Sequence, residues 1–308
     1  MQVAILEFFQ QIGSPFLDIL GKIVTMAGEQ VLFIAVISCI YWNISKASGY
    51  AMTFTLMVST VANGMLKILF HTPRPFQVLD AVEGKRLSTA EGFAFPSGHT
   101  QGAATFFTST SIYLGFRRYF PAALLISILV ALSRLYLGVH WPIDVAGGLV
   151  LGILFALLIF KRIERMQQDK RRAQRISLIT AVASALLLLL TLILEWTGTT
   201  GHDYFYSLNK LLAITLGFSL GSYLERKTTD FSTDAPLSIK VGRYLLGLVG
   251  AMLILYGLKL ILPSSSITTA LRYFLAGFWA FFVYPAIGSK IMVGTSGQTL
   301  FISRQERS

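Results

Sequence analysis

Two histidines, three strong cations, one carboxylate and a Ser-Gly pair lie between Lys67 and Asp144 of a 308-residue chain otherwise dominated by apolar residues. They form three blocks. Lys67 is followed, after six residues, by Arg74-Pro75. Phe95-Pro96-Ser97-Gly98-His99-Thr100 comes next, and Ser133-Arg134 is followed, after five residues, by His140-Trp141-Pro142-Ile143-Asp144. Ionisable groups in or at the edge of membrane segments are costly to keep there, which marks them as functional candidates. As a set they have the composition of a site that handles phosphate.

Hydrolysis of a phosphate ester needs a nucleophile, a proton for the leaving oxygen and donors for three phosphoryl oxygens. A neutral imidazole is a good nucleophile at phosphorus and titrates near physiological pH. His140 and Asp144 are four apart and can meet on one turn, although Pro142 implies a non-helical start at His140. A carboxylate at one ring nitrogen fixes the tautomer and leaves the other nitrogen free. The blander reading is a polar pair capping a membrane helix. Ser97 and Gly98 sit where backbone N–H groups at a helix N-terminus face an anion, and Gly98 lets a phosphate approach the backbone. An ordinary cap would suit Ser97 equally. Lys67 falls in the last turn of its apolar run and could snorkel to the interface. Arg134, four residues inside the end of an apolar helix, is harder to explain that way; guanidinium groups bind phosphate oxygens through parallel hydrogen bonds. His71, between Lys67 and Arg74, reads as a loop histidine, a substrate contact being the alternative; His202-Asp203 reads as a solvated loop, and Glu195 and Asn209 carry no specific role.

Together the three blocks resemble the type 2 phosphatidic acid phosphatase superfamily, whose pattern is Lys-x6-Arg-Pro, Pro-Ser-x-His and Ser-Arg-x5-His-x3-Asp. The resemblance covers residues 67 to 144. It implies that His140 is the nucleophile and forms a phosphohistidine, that Asp144 orients it, and that His99 protonates the leaving oxygen and then activates water. It also implies that Lys67, Arg74, Ser97, Gly98 and Arg134 bind the phosphate. No cofactor and no metal is implied: carboxylates do not cluster, and Cys39 has no other ligand near it in sequence.

The elements that must position these residues are membrane helices. The chain is 54% hydrophobic and only 13% charged, with a mean hydropathy of +0.64, whereas a soluble domain carries about a quarter charged residues. The expected fold is an all-α polytopic transmembrane bundle of about nine spans preceded by N-terminal interfacial helices. Residues 2 to 13 and Phe16 to Ala27 read as those interfacial helices, an irregular first span being the alternative. Spans follow at Val31 to Trp42, Ser48 to Phe70, about Thr100 to 116, Phe120 to Leu137, Pro142 to Phe160, Ile176 to Trp196, Leu208 to Tyr223, Val241 to Leu262 and Ile267 to Ile287. Tyr41-Trp42 and the Tyr204-Phe205-Tyr206 cluster look like interface aromatics. One membrane domain, 1–308, is expected: interfacial helices at 1–27, a catalytic core at 28–162, a basic cytoplasmic loop at 163–175, and added helices and a tail at 176–308. No cleavable signal peptide is apparent.

A net charge of +11 could suggest nucleic acid, but the cations cluster in short loops between apolar runs, so no nucleic-acid partner is expected. With nine spans and the N-terminus outside, 17 of the 26 Lys and Arg face inward and the three blocks converge at the outer face. The expected setting is a multi-pass cell-membrane protein, in a bacterial inner membrane, with an outward site. Four spans after the basic loop resemble the nine-span branch with glucose-6-phosphatase and sphingosine-1-phosphate phosphatase. Gly28-Glu29 and Tyr41-Trp42 resemble the sphingosine-phosphate relatives. The expected function is metal-independent hydrolysis of a lipid phosphate or diphosphate drawn from the bilayer. A soluble sugar phosphate as substrate, or phospholipid binding or transport without catalysis, stay open.

Overall fold

Proline and capping residues set where the apolar runs start as helices. Ser14 accepts a hydrogen bond from the Leu17 amide and precedes Pro15; Asp169 accepts from the amides of Arg171 and Arg172; Pro142 opens its helix directly. In a computed structural model, which describes residues 1–200 and 204–288, the elements are α1 Gln2–Gln11, α2 Pro15–Met26, α3 Gln30–Asn43, α4 Lys46–Phe70, α5 Pro75–Val78, a 3-10 turn at Leu87–Thr89, α6 Gly98–Leu114, α7 Phe116–Tyr136, α8 Pro142–Met166, α9 Lys170–Trp196 and α10 Tyr206–Thr228. α11 Leu237–Met252 runs through a π-helical turn, Leu253–Gly257, into α12 Leu258–Ile261, and α13 Ser266–Phe278 continues into a second π-helical turn, Trp279–Val283. No strand occurs among the described residues. His202-Asp203 and the polar tail from 289 lie outside them.

Among the described residues, seven helical stretches are long and apolar enough to cross a membrane. α2 and α3 form one of them, the 29-residue Pro15–Asn43 stretch, broken only by a turn at Ala27-Gly28-Glu29. Composition therefore does not set α2 apart from the first span. Two expected spans miss the criterion. α6 has 17 residues and α10 is too polar, and both bury much of their polar surface: Thr100, Gln101, Thr105, Thr108, Ser109 and Ser111 on α6, and Asn209, Thr215, Ser219, Ser222 and Glu225 on α10. A helix shielded from lipid by its neighbours does not need a continuous apolar surface.

The chain forms two compact units. The first comprises Met1–Ile37 and Ala47–Arg165, so it holds all three sequence blocks. Within it α6 and α8 cross closely. A Cβ added at Gly148 would lie 2.7 Å from the Ser97 carbonyl oxygen, and one at Gly152 would lie 2.5 Å from that of Gln101. α1 is more than a surface helix here: Leu6 is fully buried in a cluster with Val82, Ala131, Leu135 and Val145, and the Gln2 side chain accepts from the Ile143 amide at 3.1 Å.

The second unit comprises Ser38–Lys46 and the described part of Met166–Ser308. The end of α3 thus belongs with the later helices. Tyr41 and Trp42, expected as interface aromatics, are buried in this unit instead. Tyr41 packs on Phe231 and Phe281, and the Trp42 indole donates to the Ala280 carbonyl at 2.9 Å. The indole N–H finds a protein acceptor, so the ring has no need of the headgroup layer. Phe205 is likewise buried. Asn209 donates to Glu195 at 3.3 Å and accepts from Thr191 at 2.6 Å, which gives these two polar residues a structural role between α9 and α10.

Candidate active site

His140 sits between α7 and α8 because the chain reverses at Gly138. Gly138 has φ +68, and a Cβ there would lie 2.3 Å from the Glu83 carbonyl oxygen, so only glycine fits. The reversal brings the His140 ring back over the start of α8. Its Nδ1 is 3.2 Å from Asp144 Oδ2, which also accepts from the Trp141 amide at 2.7 Å. On the opposite side, Arg74 Nη1 lies 3.3 Å from His140 Nε2. A guanidinium only donates, so Nε2 presents its lone pair and the ring proton is on Nδ1, directed at Asp144. His140 and Asp144 are both buried. Burial, and then the positive charges of Arg74, Lys67 and Arg134, hold the His140 imidazole well below the usual histidine range, so it is neutral at physiological pH. Lys67, Arg74, Arg134 and His99 are all near enough to act on its charge.

Two of the cations rest on backbone carbonyls, most of them in the loop before α6. Arg74 donates through Nε to Gly92 at 3.0 Å, through Nη2 to Glu91 at 2.7 Å and through Nη1 to Val139 at 2.8 Å. Lys67, on the last turn of α4, donates to the Phe93 carbonyl. Arg134 is different. It is 0% exposed, its Nη1 donates to the hydroxyls of Thr25 at 3.1 Å and Thr89 at 3.4 Å, and its Nε and Nη2 are buried without a partner. His99 Nε2 is also buried and unpartnered. Unpaired buried donors are expensive, and a guanidinium edge beside an imidazole calls for an anion.

Ser97 caps α6 by position, with a cis Phe95-Pro96 bond just before it, but its side chain makes no capping bond. Its amide donates to the Asp144 carbonyl at 2.9 Å, so this amide already has an acceptor within the protein. The amides of Gly98 and His99, in the first turn of α6 where intrahelical acceptors are lacking, remain to face an anion. An added Cβ at Gly98 would meet nothing closer than Asn63 Oδ1 at 3.5 Å. The protein itself does not demand glycine there, which leaves the space for a ligand. His71 ends α4 in the left-handed region, φ +49, with its exposed ring 4.6 Å from Phe93.

Four residues escaped the sequence reading. Asn63 donates to the Pro96 carbonyl at 3.2 Å and to Gln101 Oε1 at 2.8 Å, and Gln101 Nε2 donates to the Ser59 carbonyl at 2.7 Å. This buried network ties α4 and α6 together beneath the Pro96-Ser97 turn. Asn63 and Gln101 each stand four residues from a block residue on the same helix face, Lys67 and Ser97, a usable signal that an amide in an apolar helix should have raised. Thr25 and Thr89 carry no such signal.

Residues 48–168 match the family model of the PAP2 superfamily, and residues 209–296 match that of the PAP2 superfamily phosphatase, transmembrane extension. Among curated proteins, a putative undecaprenyl-diphosphatase of Escherichia coli is 35% identical over 33% of this chain and 50% of its own length. A bacitracin transport permease protein of Bacillus licheniformis is 27% identical over 50% of this chain and 76% of its own. A probable sphingosine-1-phosphate phosphatase of Dictyostelium discoideum is 28% identical over 49% of this chain and 40% of its own. The chain thus spans about half the length of the Escherichia coli relative. Both matched models come from one superfamily, they cover more than half of the chain, and the first encloses every residue of the three blocks, so the chain belongs to the PAP2 superfamily.

Proposed function

We propose that this protein is a metal-independent membrane phosphatase that hydrolyses a lipid phosphate or diphosphate at the outer membrane face through a phosphohistidine. The observation that carries the reading is the polar centre itself: a neutral His140 oriented by Asp144, with a buried Arg134 edge and a buried His99 nitrogen that no protein group satisfies. His140 Nε2 attacks phosphorus. The bond from phosphorus to the ester or bridging oxygen breaks, and the electron pair leaves with that oxygen, which takes a proton from His99. Water then attacks the phosphohistidine and gives its proton back to His99. The P–N bond breaks, returning its electron pair to Nε2, and phosphate departs. Lys67, Arg74, Arg134 and the Gly98 amide hold the phosphoryl oxygens while charge spreads over them. Arg74 must exchange a carbonyl for a phosphate oxygen, which also frees the His140 lone pair.

The names of two relatives, an undecaprenyl-diphosphatase and a sphingosine-1-phosphate phosphatase, support a lipid substrate. The loop cations support the outward site; a bacterial inner membrane is the setting proposed with it. The test is phosphate release by purified protein, with EDTA present, from an isoprenyl diphosphate, phosphatidate, a sphingoid-base phosphate and glucose 6-phosphate. Release from a lipid at least about tenfold more efficiently than from the sugar is expected, a difference of about 1.4 kcal/mol in transition-state binding. Preference for the sugar would overturn the lipid assignment. No release from any substrate would overturn the enzyme reading in favour of transport or binding.

A further inference from the structure

The geometry points to Thr25 and Thr89 as positioning residues that aim the Arg134 fork at the phosphoryl group, so that α2, outside the 48–168 segment, completes the anion site. This rests on the phosphatase reading. A guanidinium carries five N–H bonds, and those of Nε and Nη2 run parallel along one edge, the edge that grips two oxygens at once. In Arg134 that edge is bare. Nη1, at the other corner, is held by two hydroxyls at 3.1 and 3.4 Å. Thr89 in turn donates its own hydroxyl proton to the Arg86 carbonyl at 3.4 Å, which turns a lone pair toward Arg134. With one corner fixed by two acceptors from different elements, the guanidinium plane is held from turning to satisfy the other corner internally. The site therefore meets the phosphate with a preorganised fork and without the reorganisation a free arginine would need.

The surroundings of Thr25 fit this role. Thr25 is fully buried near the end of α2. The chain just beyond it is pressed against the site: a Cβ at Gly28 would lie 2.8 Å from Val130 and 3.0 Å from the His99 carbonyl oxygen. Glu29 pairs with Arg86 at 2.5 Å, and Arg86 Nη1 donates to the Lys22 carbonyl at 2.8 Å. These contacts hold the end of α2 against the loop that carries Thr89.

The experiment compares Thr25→Val, Thr89→Val and Thr25→Ser in the full-length protein in detergent. Valine keeps the shape and removes the acceptor; serine restores it. Two readouts are taken: kcat and KM on a soluble chromogenic phosphate, and orthovanadate affinity by calorimetry, which needs no turnover. Thr25→Val is expected to weaken vanadate binding and lower kcat/KM by about tenfold, with Thr25→Ser close to wild type. In an Arg134→Ala background Thr25→Val should add no further loss, because there is no fork left to aim. Wild-type vanadate affinity in both valine variants would overturn the inference. So would a loss in Thr25→Val that Thr25→Ser does not recover, or one that persists in full beside Arg134→Ala, since either marks a packing effect. A wild type that binds vanadate but releases no phosphate overturns the phosphatase reading and leaves the aiming of Arg134 to be decided by the affinities alone.

Discussion

At the scale of residues, the chemistry turns on where one proton sits. Arg74 forces His140 Nε2 to be the unprotonated nitrogen, and Asp144 receives the other. His140→Ala removes the nucleophile, and turnover should fall at least about a thousandfold, roughly 4 kcal/mol of transition-state stabilisation. Acid-labile transfer of label from substrate to protein should be seen in wild type and be absent in this variant; retained turnover would falsify the assignment. The depressed proton affinity of His140 has a direct consequence for pH. A lowered folded-state value keeps the imidazole neutral as pH falls, so its loss of nucleophilicity begins below pH about 6.5, the ordinary histidine value. Once the substrate's own titration is measured separately and removed, the acidic limb of kcat/KM should lie below that value. A limb at or above it would contradict a buried, cation-flanked nucleophile.

At the scale of elements, the α6–α8 crossing decides how well the site is held. Gly152 faces the Gln101 carbonyl and Ala104, and Gly148 faces the Ser97 carbonyl. Backbone cannot yield as a side chain can, so an added methyl must push one helix away; such overpacking costs about 1–3 kcal/mol. Gly152→Ala is expected to lower the thermal unfolding midpoint in detergent. Gly148→Ala should do so as well and should also lower kcat/KM of the folded fraction by about tenfold, because the shift falls on the Ser97-Gly98 turn. Thermal scans beside single-turnover rates separate the two. A Gly148→Ala protein with wild-type rates would mean that the turn tolerates movement of α8. The buried Leu6 places α1 in the same category of support: a cluster shared with Ala131, Leu135 and Val145 makes it part of the scaffold around Arg134 and Asp144.

At the scale of the whole molecule, the loop charges set the sidedness expected of the chain in the membrane. Seventeen of the 26 cations fall on one side of a nine-span count, a bias of the kind that fixes orientation in the membrane. In that count the exposed loop positions Ala81 and Thr199 would share the side of the motif blocks, and Gln168, in the basic segment, would face the other way. Gly84 is unsuited to a probe, because a side chain there would run into Leu87 and Phe76. In a Cys39-free background, Ala81→Cys and Thr199→Cys should react with an impermeant reagent applied outside intact cells, and Gln168→Cys only after permeabilisation. The reverse pattern would put the active site in the cytoplasm.

Much of this was written in the sequence. Apolar runs of about twenty residues dictate membrane helices without further information, because a helix of that length spans the bilayer core and makes all its backbone bonds within the segment. The blocks around Lys67, His99 and His140 declare themselves because ionisable groups are costly in such runs, and their spacing reflects local geometry: one turn from His140 to Asp144, a helix start at Gly98. What the sequence could not decide depended on contacts distant along the chain. Tyr41-Trp42 has the look of an interface pair and is buried in the second unit because Phe231, Ala280 and Phe281 meet it there. α6 and α10 break the hydropathy rule because neighbouring helices, not lipid, receive their polar faces. The fork of Arg134 is held by hydroxyls 109 and 45 residues away in sequence. No local periodicity encodes such a pairing; it exists only once α2, the loop before α6, and α7 have packed together.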